Sequence, residues 1–374
     1  MQSDNDSEEQ IPADLTHHFL LAICTRPGTG ICFKDRGWYP REAEDDVGAR
    51  DDEDPKKWTG RLHNKILANV LKTLKVNEDT RQQELAIRIL AACPELVAGC
   101  VFLLRYDTSA SCIDKCRYWS AALTLEPRLS TKWINNIAFF GNIVSLPPPT
   151  PSFYLSNQLF NPTPPPLSTV LENVLPIANN KVNLSKGLQS SSGLVQHCTA
   201  IALIKCLLKF QEVLDQFRMI AKTLEEDDEG QWSRRCKEIE REVRRRVPDF
   251  MVVVAFGHQT QQAQNAQTVE TQQQGNPVRT ALLGESAQRL LWLYHRSLPA
   301  VVAEARFDVG KLLQSINATS PTDEVENERD PDAVERIYRV HLLHILRLLK
   351  DSDQFAWASK IGTPSILRPP SLQY

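Results

Sequence analysis

The sequence predicts an all-α chain, a degenerate armadillo/HEAT-like helical solenoid with long irregular loops. Apolar residues recur at helical spacing in ten segments, no segment carries a strand pattern that has a partner, and the breaks are polar or proline-rich. At 374 residues the chain also exceeds the size at which one hydrophobic core stops growing, so several domains or an elongated stack is expected. Its 42% hydrophobic and 24% charged residues, with a mean hydropathy of −0.33, provide enough apolar surface for a core.

Helices are expected over 14–25, 61–75, 80–98, 130–145, 168–175, 192–224, 231–247, 279–295, 301–316 and 332–350. Two of them carry the stacking pattern. Leu85, Ile89 and Cys93 fall at steps of four beside Ala86 and Leu90; Val195, Thr199, Leu203 and Leu207 do the same beside Ala200 and Ile204. Small alanines among large aliphatics let neighbouring helices approach, and stripes this wide need neighbours on more than one side. No fixed period recurs, so an ordinary helical bundle stays open beside the solenoid. The best strand candidate is Val252-Val253-Val254, but an isolated strand has no partner, and a buried helix or turn is expected there.

The expected layout is N-terminal helical repeats over 1–145 with a loop at 26–57 and an insert at 100–117, then a proline-rich linker at 146–166. Helical repeats follow over 167–257, a glutamine-rich loop over 258–278, C-terminal helices over 279–360 and a tail over 361–374. Residues 42–57 form an acidic run, and 317–331 a further acidic linker. Eight prolines between 147 and 166 make an extended, stiff segment, either a clasp across a surface or a spacer.

Lys and Arg total 43 against 46 Asp and Glu, a net charge of −3, so no global positive field draws nucleic acid or acidic membranes. Any RNA contact is local. The nine cysteines at 24, 32, 93, 100, 112, 116, 198, 206 and 236 are odd in number and scattered through apolar helical patterns, as reduced thiols are. The acidic start MQSDNDSEEQ lacks the features of a signal peptide, and Thr199 to Phe210 is short for a bilayer span and broken by Lys205 and Lys209. A soluble intracellular chain is the expectation, with no membrane partner.

Catalytic signatures are missing from the sequence: no Walker loop, no G-x-G-x-x-G after a strand, no H-E-x-x-H and no G-x-S-x-G. His341 and His344 stand three apart on a helix without a carboxylate or cysteine at ligand spacing on that face. Cys112 and Cys116, with Cys100 upstream, lack a fourth ligand nearby. No enzyme activity, metal, cofactor or small-molecule substrate is expected.

Two segments stand out as candidate RNA or partner contacts. RPGTGICFKDRGWYPRE over 26–42 gathers Lys34, Arg36 and Arg41 around Phe33, Trp38 and Tyr39, with glycines at turn positions. Cations interleaved with aromatics suit phosphate and unpaired bases; the alternative is that the aromatics plug the loop onto adjacent helices. The second segment, QWSRRCKEIEREVRRRV over 231–247, lines up Trp232, Cys236, Ile239, Val243 and Val247 on one face. Arg241, Arg244 and Arg245 are its candidate contacts, and Arg234 with Glu238, Glu240 with Arg244 and Glu242 with Arg246 fit salt bridges at i, i+4. A solvated charged face and an RNA-binding face both satisfy this pattern.

Several long strings resemble the nucleolar pre-ribosomal-associated protein family, the Urb/Npa-type scaffold of ribosome assembly, in its N-terminal domain. They are GICFKDRGWYPRE, NKILANVLKTLKVNEDTRQQELAIRILAACPELVAG, LTLEPRLSTKWINNIAFFGNIVSLP, PTPPPLSTVLENVLP, LSKGLQSSSGLVQHCTAIALIKCL and REVRRRVPDF. The resemblance implies an armadillo-like scaffold in the nucleus and nucleolus. It also implies binding to early pre-60S particles with a second Urb-type protein, small assembly factors and a DEAD-box RNA helicase. Family members are much longer, so a fragment within their N-terminal domain is expected, its first helix lacking the helices that would precede it. In the family the string at 94–99 runs straight into Tyr118-Trp119; here CVFLLRYDTSASCIDKCR over 100–117 intervenes, as a translated intron or an inserted metal knuckle.

The function expected is a non-catalytic scaffold supporting early large-subunit assembly and maturation of 5.8S and large-subunit rRNA, in contact with pre-rRNA. The alternatives are a general helical-repeat adaptor without an RNA role and an enzyme with an unrecognised site.

Overall fold

The structure is a computed structural model that describes residues 12–39, 63–98, 119–120, 123–155, 159–267, 277–305 and 331–351. Arg41, the acidic run 42–57, the segment 100–117 and nearly all of 317–331 lie outside the described residues.

The chain divides into two units, 1–260 and 261–374. The first holds α1 (Pro12–Cys24), α2 (Lys65–Thr73), α3 (Thr80–Ala92), α4 (Glu95–Ala98), α5 (Thr131–Val144), a 3-10 turn (Thr150–Phe153), α6 (Leu167–Val174), α7 (Lys181–Leu188), α8 (Gly193–Thr223), α9 (Gln231–Arg246) and the first part of α10 (Phe250–Gln267). The second holds α11 (Pro277–Ser297), α12 (Pro299–Glu304) and α13 (Pro331–Asp351). Among the described residues the only β pairing is two isolated bridges, Thr29 with Cys32 and Tyr154 with Phe160.

Local chemistry sets the boundaries. Asp79 accepts from the Arg81 amide to open α3, Ser130 from the Trp133 amide to open α5, and Asn180 from the Asn183 amide to open α7. The single helix expected over 80–98 is two helices, because Pro94 has no amide to continue the ladder and α4 restarts after it. Helix α7 lies in a stretch with no expected helix; its pattern is short and its stabilisation comes from packing on α8.

Helix α8 is the axis of the first unit. At 31 residues it is long and apolar enough to cross a membrane, yet its most apolar window is 67% buried inside the protein. Helices α5, α6, α7 and α9 pack around it, and Leu203, Leu207, Phe210 and Phe217 fill the space between. Val252, Val253 and Val254 are helical within α10, and that helix runs on to Gln267. The first part of the glutamine-rich loop expected over 258–278 is therefore helical as far as Gln267, since glutamine is itself a good helix former.

The proline segment is a clasp. Its 3-10 turn inserts Phe153 into the core, where the ring lies 5.7 Å from Trp38, 5.8 Å from Phe217 and 5.9 Å from Trp232. Edge-to-face packing between Phe217 and Trp232 at 4.8 Å completes the cluster.

In the second unit α11 packs along α13 and against α12, burying Leu290, Leu293 and Tyr294 with Ile345, Leu348 and Leu349. The Trp292 indole donates to Asp351 Oδ2 at 3.0 Å.

Candidate nucleic-acid interface

The loop after α1 is tied down from both sides. Asn64 accepts from the Phe33 amide at 2.8 Å and donates its Nδ2 to the Phe33 carbonyl at 2.9 Å. The Glu95 carboxylate accepts from the amides of Asn64 at 2.8 Å and His63 at 3.4 Å, where α2 begins. Asp35 then accepts from the Gly37 amide at 2.9 Å and the Glu95 amide at 3.2 Å. Burial, with the charge of Glu95 adding to it against the pull of the Gly37 amide, moves the Asp35 carboxyl up to about 6. Behind the loop, the Cys32 and Cys93 sulfurs meet at 3.5 Å, both buried as free thiols.

Gly37 takes a positive φ of 61°, and a Cβ there would lie 2.6 Å from Ser152 Oγ and 3.1 Å from Pro149 Cβ. Glycine lets the loop touch the proline segment directly. Trp38 follows and is 1% exposed. Three side chains then donate to one stretch of proline-segment backbone: Tyr39 Oη to the Thr163 carbonyl at 2.9 Å, Trp232 Nε1 to Asn161 at 2.9 Å and Arg235 Nη1 to Pro165 at 2.8 Å. The aromatic-basic loop and the charged helix α9, far apart in the sequence, are thus joined by a strap that belongs to neither.

Of the sequence-derived contact residues, Lys34 is exposed and Arg36 half-buried, while Arg41 lies outside the described residues. Trp38 requires correction. Its ring is enclosed by Phe153 and Lys209, so it is a core residue and presents no face for a base. Tyr39 is half-buried with its hydroxyl committed to Thr163, and burial raises its pKa despite the lowering influence of Arg235.

On α9 the buried face is Trp232, Cys236, Ile239 and Val243, as its spacing requires. Arg241, Arg244 and Arg245 are exposed, with Arg234 and Lys237 continuing the same outer side towards the helix start. Two of the expected i, i+4 pairs, Arg234 with Glu238 and Glu242 with Arg246, give way to other partners. Glu238 takes Arg235 at 3.1 Å, Glu240 takes Arg218 of α8 at 2.8 Å, and Glu242 takes Arg245 at 2.9 Å and Arg241 at 3.6 Å. Arg246 reaches instead to Glu172 of α6 at 3.0 Å and the Leu175 carbonyl at 3.2 Å. Helix α9 is bolted down through Arg235 and Arg246 while the arginines between them face solvent.

In the second unit, His344 Nε2 sits 3.1 Å from Glu285 Oε1, a carboxylate from α11 that spacing along the α13 sequence could not reveal. His341 beside it is buried, which moves its pKa down to about 4, reinforced by His344. Among the described residues no group of three or more His, Cys, Asp or Glu is arranged to hold a metal.

Residues 1–136 match the family model described as Npa1, ribosome 60S biogenesis N-terminal. Over 331 residues the chain is 24% identical to nucleolar pre-ribosomal-associated protein 1 of Mus musculus, covering 83% of this chain and 13% of that protein. The protein of the same name from Saccharomyces cerevisiae is 25% identical over 194 residues, 52% of this chain and 9% of its own length. Over these stretches the chain is similar to the nucleolar pre-ribosomal-associated proteins. The human relative is 23% identical over 327 residues, covering 81% of this chain and 12% of its own length, so the chain spans roughly a tenth of the relatives it matches. No solved structure matches it. The stretch matching the family model contains the docked loop and α1 to α4, whereas α9 lies beyond residue 136.

Proposed function

We propose that the chain is part of a non-catalytic scaffold of nucleolar ribosome biogenesis, acting in early pre-60S assembly and in maturation of 5.8S and large-subunit rRNA. The observation that carries the reading is the ribosome 60S biogenesis N-terminal match over residues 1–136. The names of the mouse, yeast and human relatives add a nuclear, nucleolar location and association with pre-ribosomes. Stacked helices in a degenerate armadillo/HEAT-like solenoid supply extended surfaces for several partners at once. On this reading they include a second Urb-type protein and a DEAD-box RNA helicase. Pre-rRNA meets the solvent-facing cations Arg241, Arg244 and Arg245, with Lys34, Arg36 and Arg41 as a second set.

The test is cross-linking of the full-length protein to RNA in cells, followed by sequencing of the RNA and mapping of the cross-linked peptides. Large-subunit pre-rRNA joined to peptides from 231–246 supports the reading. Recovery of the protein with protein partners alone replaces it with a helical adaptor that has no RNA role.

A further inference from the structure

Helices α5 and α8 leave a groove of about 220 Å³ between their outer faces. Its walls are Ile134 and Ala138 from α5 and Cys198, Ile201 and Lys205 from α8, with Gly141 at the floor. Leu194 and Leu208, 44% and 38% exposed, extend the α8 wall in both directions at helical spacing from Cys198, Ile201 and Lys205. The apolar strip therefore runs about 21 Å along α8, at 1.5 Å per residue, or nearly four turns of helix. Small residues at 138 and 141 keep the opposite wall low, so a second backbone can come close.

Among the described residues the lysine of this groove, Lys205, has no carboxylate partner. Lys205 Nζ donates to Asn142 Oδ1 at 3.1 Å, and its side chain lies against Gly141, where an added Cβ would meet the ammonium nitrogen at 3.2 Å. Burial lowers its pKa, and among the described residues no acidic side chain faces it. Its neighbour Lys209, one turn on, differs: it is committed to the Leu146 carbonyl and lies 3.8 Å from Glu212. An ammonium partly withdrawn from water without a counter-charge is costly, and the missing partner is an anion brought to an apolar surface.

We infer that the α5–α8 groove docks an amphipathic helix of a protein partner, whose leucine-type side chains lie along Ile134, Ile201 and Leu208 and whose carboxylate pairs with Lys205. The length of the strip selects a helix over a small molecule, and the apolar walls select a protein over RNA. This surface is separate from the arginines of α9 and stands whether or not they touch RNA.

Cys198 reports on occupancy because it is half-buried in the groove wall, whereas Cys24, Cys32, Cys93, Cys206 and Cys236 are buried. The experiment titrates the whole chain with a synthetic helical peptide carrying leucines at i, i+4, i+7 and i+11 and glutamates between them. N-ethylmaleimide modification of Cys198 is followed by mass spectrometry. The glutamate peptide should slow the reaction, at a midpoint about tenfold lower than that of the same peptide with lysines, and raised salt should narrow that gap. Lys205→Glu should reverse the preference. Ala138→Trp, at an exposed position, should fill the groove and abolish protection with the thermal transition unchanged. Equal protection by both peptides, protection by single-stranded RNA in their place, or self-association that shields Cys198 without peptide would each overturn the proposal.

Discussion

Lys209 Nζ lies 5.9 Å from the centre of the Trp38 ring, and the same ammonium donates to the Leu146 carbonyl just beyond the end of α5. Its side chain is only 3% exposed, so the charge is held by a carbonyl at a helix end, an aromatic face and Glu212 at 3.8 Å. One residue of α8 thereby joins the N-terminal loop, the end of α5 and the start of the proline segment.

Burial lowers the Lys209 pKa to about 8, with Glu212 opposing the shift. An unfolded lysine holds its proton to about pH 10.4, so between these values the unfolded chain binds more protons than the folded one and stability rises with pH. Wild type should gain on the order of 3 kcal/mol relative to Lys209→Met between pH 8 and 10.5. The raised thiols of Cys93 and Cys206 and the raised Tyr39 phenol act in the opposite direction in both proteins, so they cancel in the comparison. Urea unfolding across this range is the measurement, and a constant difference between the two proteins would show that Lys209 is not desolvated as described.

Trp38→Ala should destabilise the first unit by about 3 to 5 kcal/mol, the usual cost of emptying a large aromatic site. The indole nitrogen has no acceptor among the described residues, so Trp38→Phe should cost much less than Trp38→Ala. Denaturant midpoints for both variants decide the matter, and near-neutral alanine would return the ring to solvent.

Asp35 works in the acid range. Its carboxyl is raised to about 6 against about 3.9 in the unfolded chain, so the folded state binds the extra proton between these values. The associated stability is fully present below about pH 4 and gone above about pH 6. Relative to Asp35→Asn, wild type should therefore lose on the order of 3 kcal/mol as pH rises through that window. A pH-independent difference in thermal unfolding would contradict it.

The arginines of α9 separate two readings. Replacing Arg241, Arg244 and Arg245 with Gln should flatten the salt dependence of RNA binding by about 2 to 3 units of slope if they meet phosphates. Stability should fall by no more than about 1 kcal/mol, because the pairs to Glu242 are exposed on the arginine side. Unchanged RNA binding across the titration would leave Lys34, Arg36 and Arg41 as the remaining candidates.

Deleting 100–117 should leave the thermal transition unchanged or slightly raised. Trp119 Nε1 donates to the Val97 carbonyl at 2.9 Å, so the two sides of the segment already meet. A long insertion adds slowly growing closure entropy. A large loss of stability in the shortened chain, or spliced transcripts that always retain these codons, would count against a translated intron.

Most of the helices were legible in the sequence because their causes are local, whereas α7, held by its packing on α8, was not. Residues 192–224 display the stripe of α8, Ser130 and Asp79 supply caps, and the Trp232-to-Val247 spacing gives the buried side of α9 without reference to any partner. What α9's charged residues do was not legible. Glu240 pairs with Arg218 and Arg246 with Glu172, and partners on other helices leave no mark in i, i+4 spacing. The same holds for Trp38. Aromatics among cations look alike whether they await a base or fill a core, and only the arrival of Phe153 and Lys209 from distant segments decides between them. Periodicity and capping thus belong to the sequence, since they act within a turn or two of helix. The strap over Tyr39, Trp232 and Arg235, the His344–Glu285 pair and the uncompensated Lys205 belong to the tertiary structure, because burial and pairing depend on what folding brings across the chain.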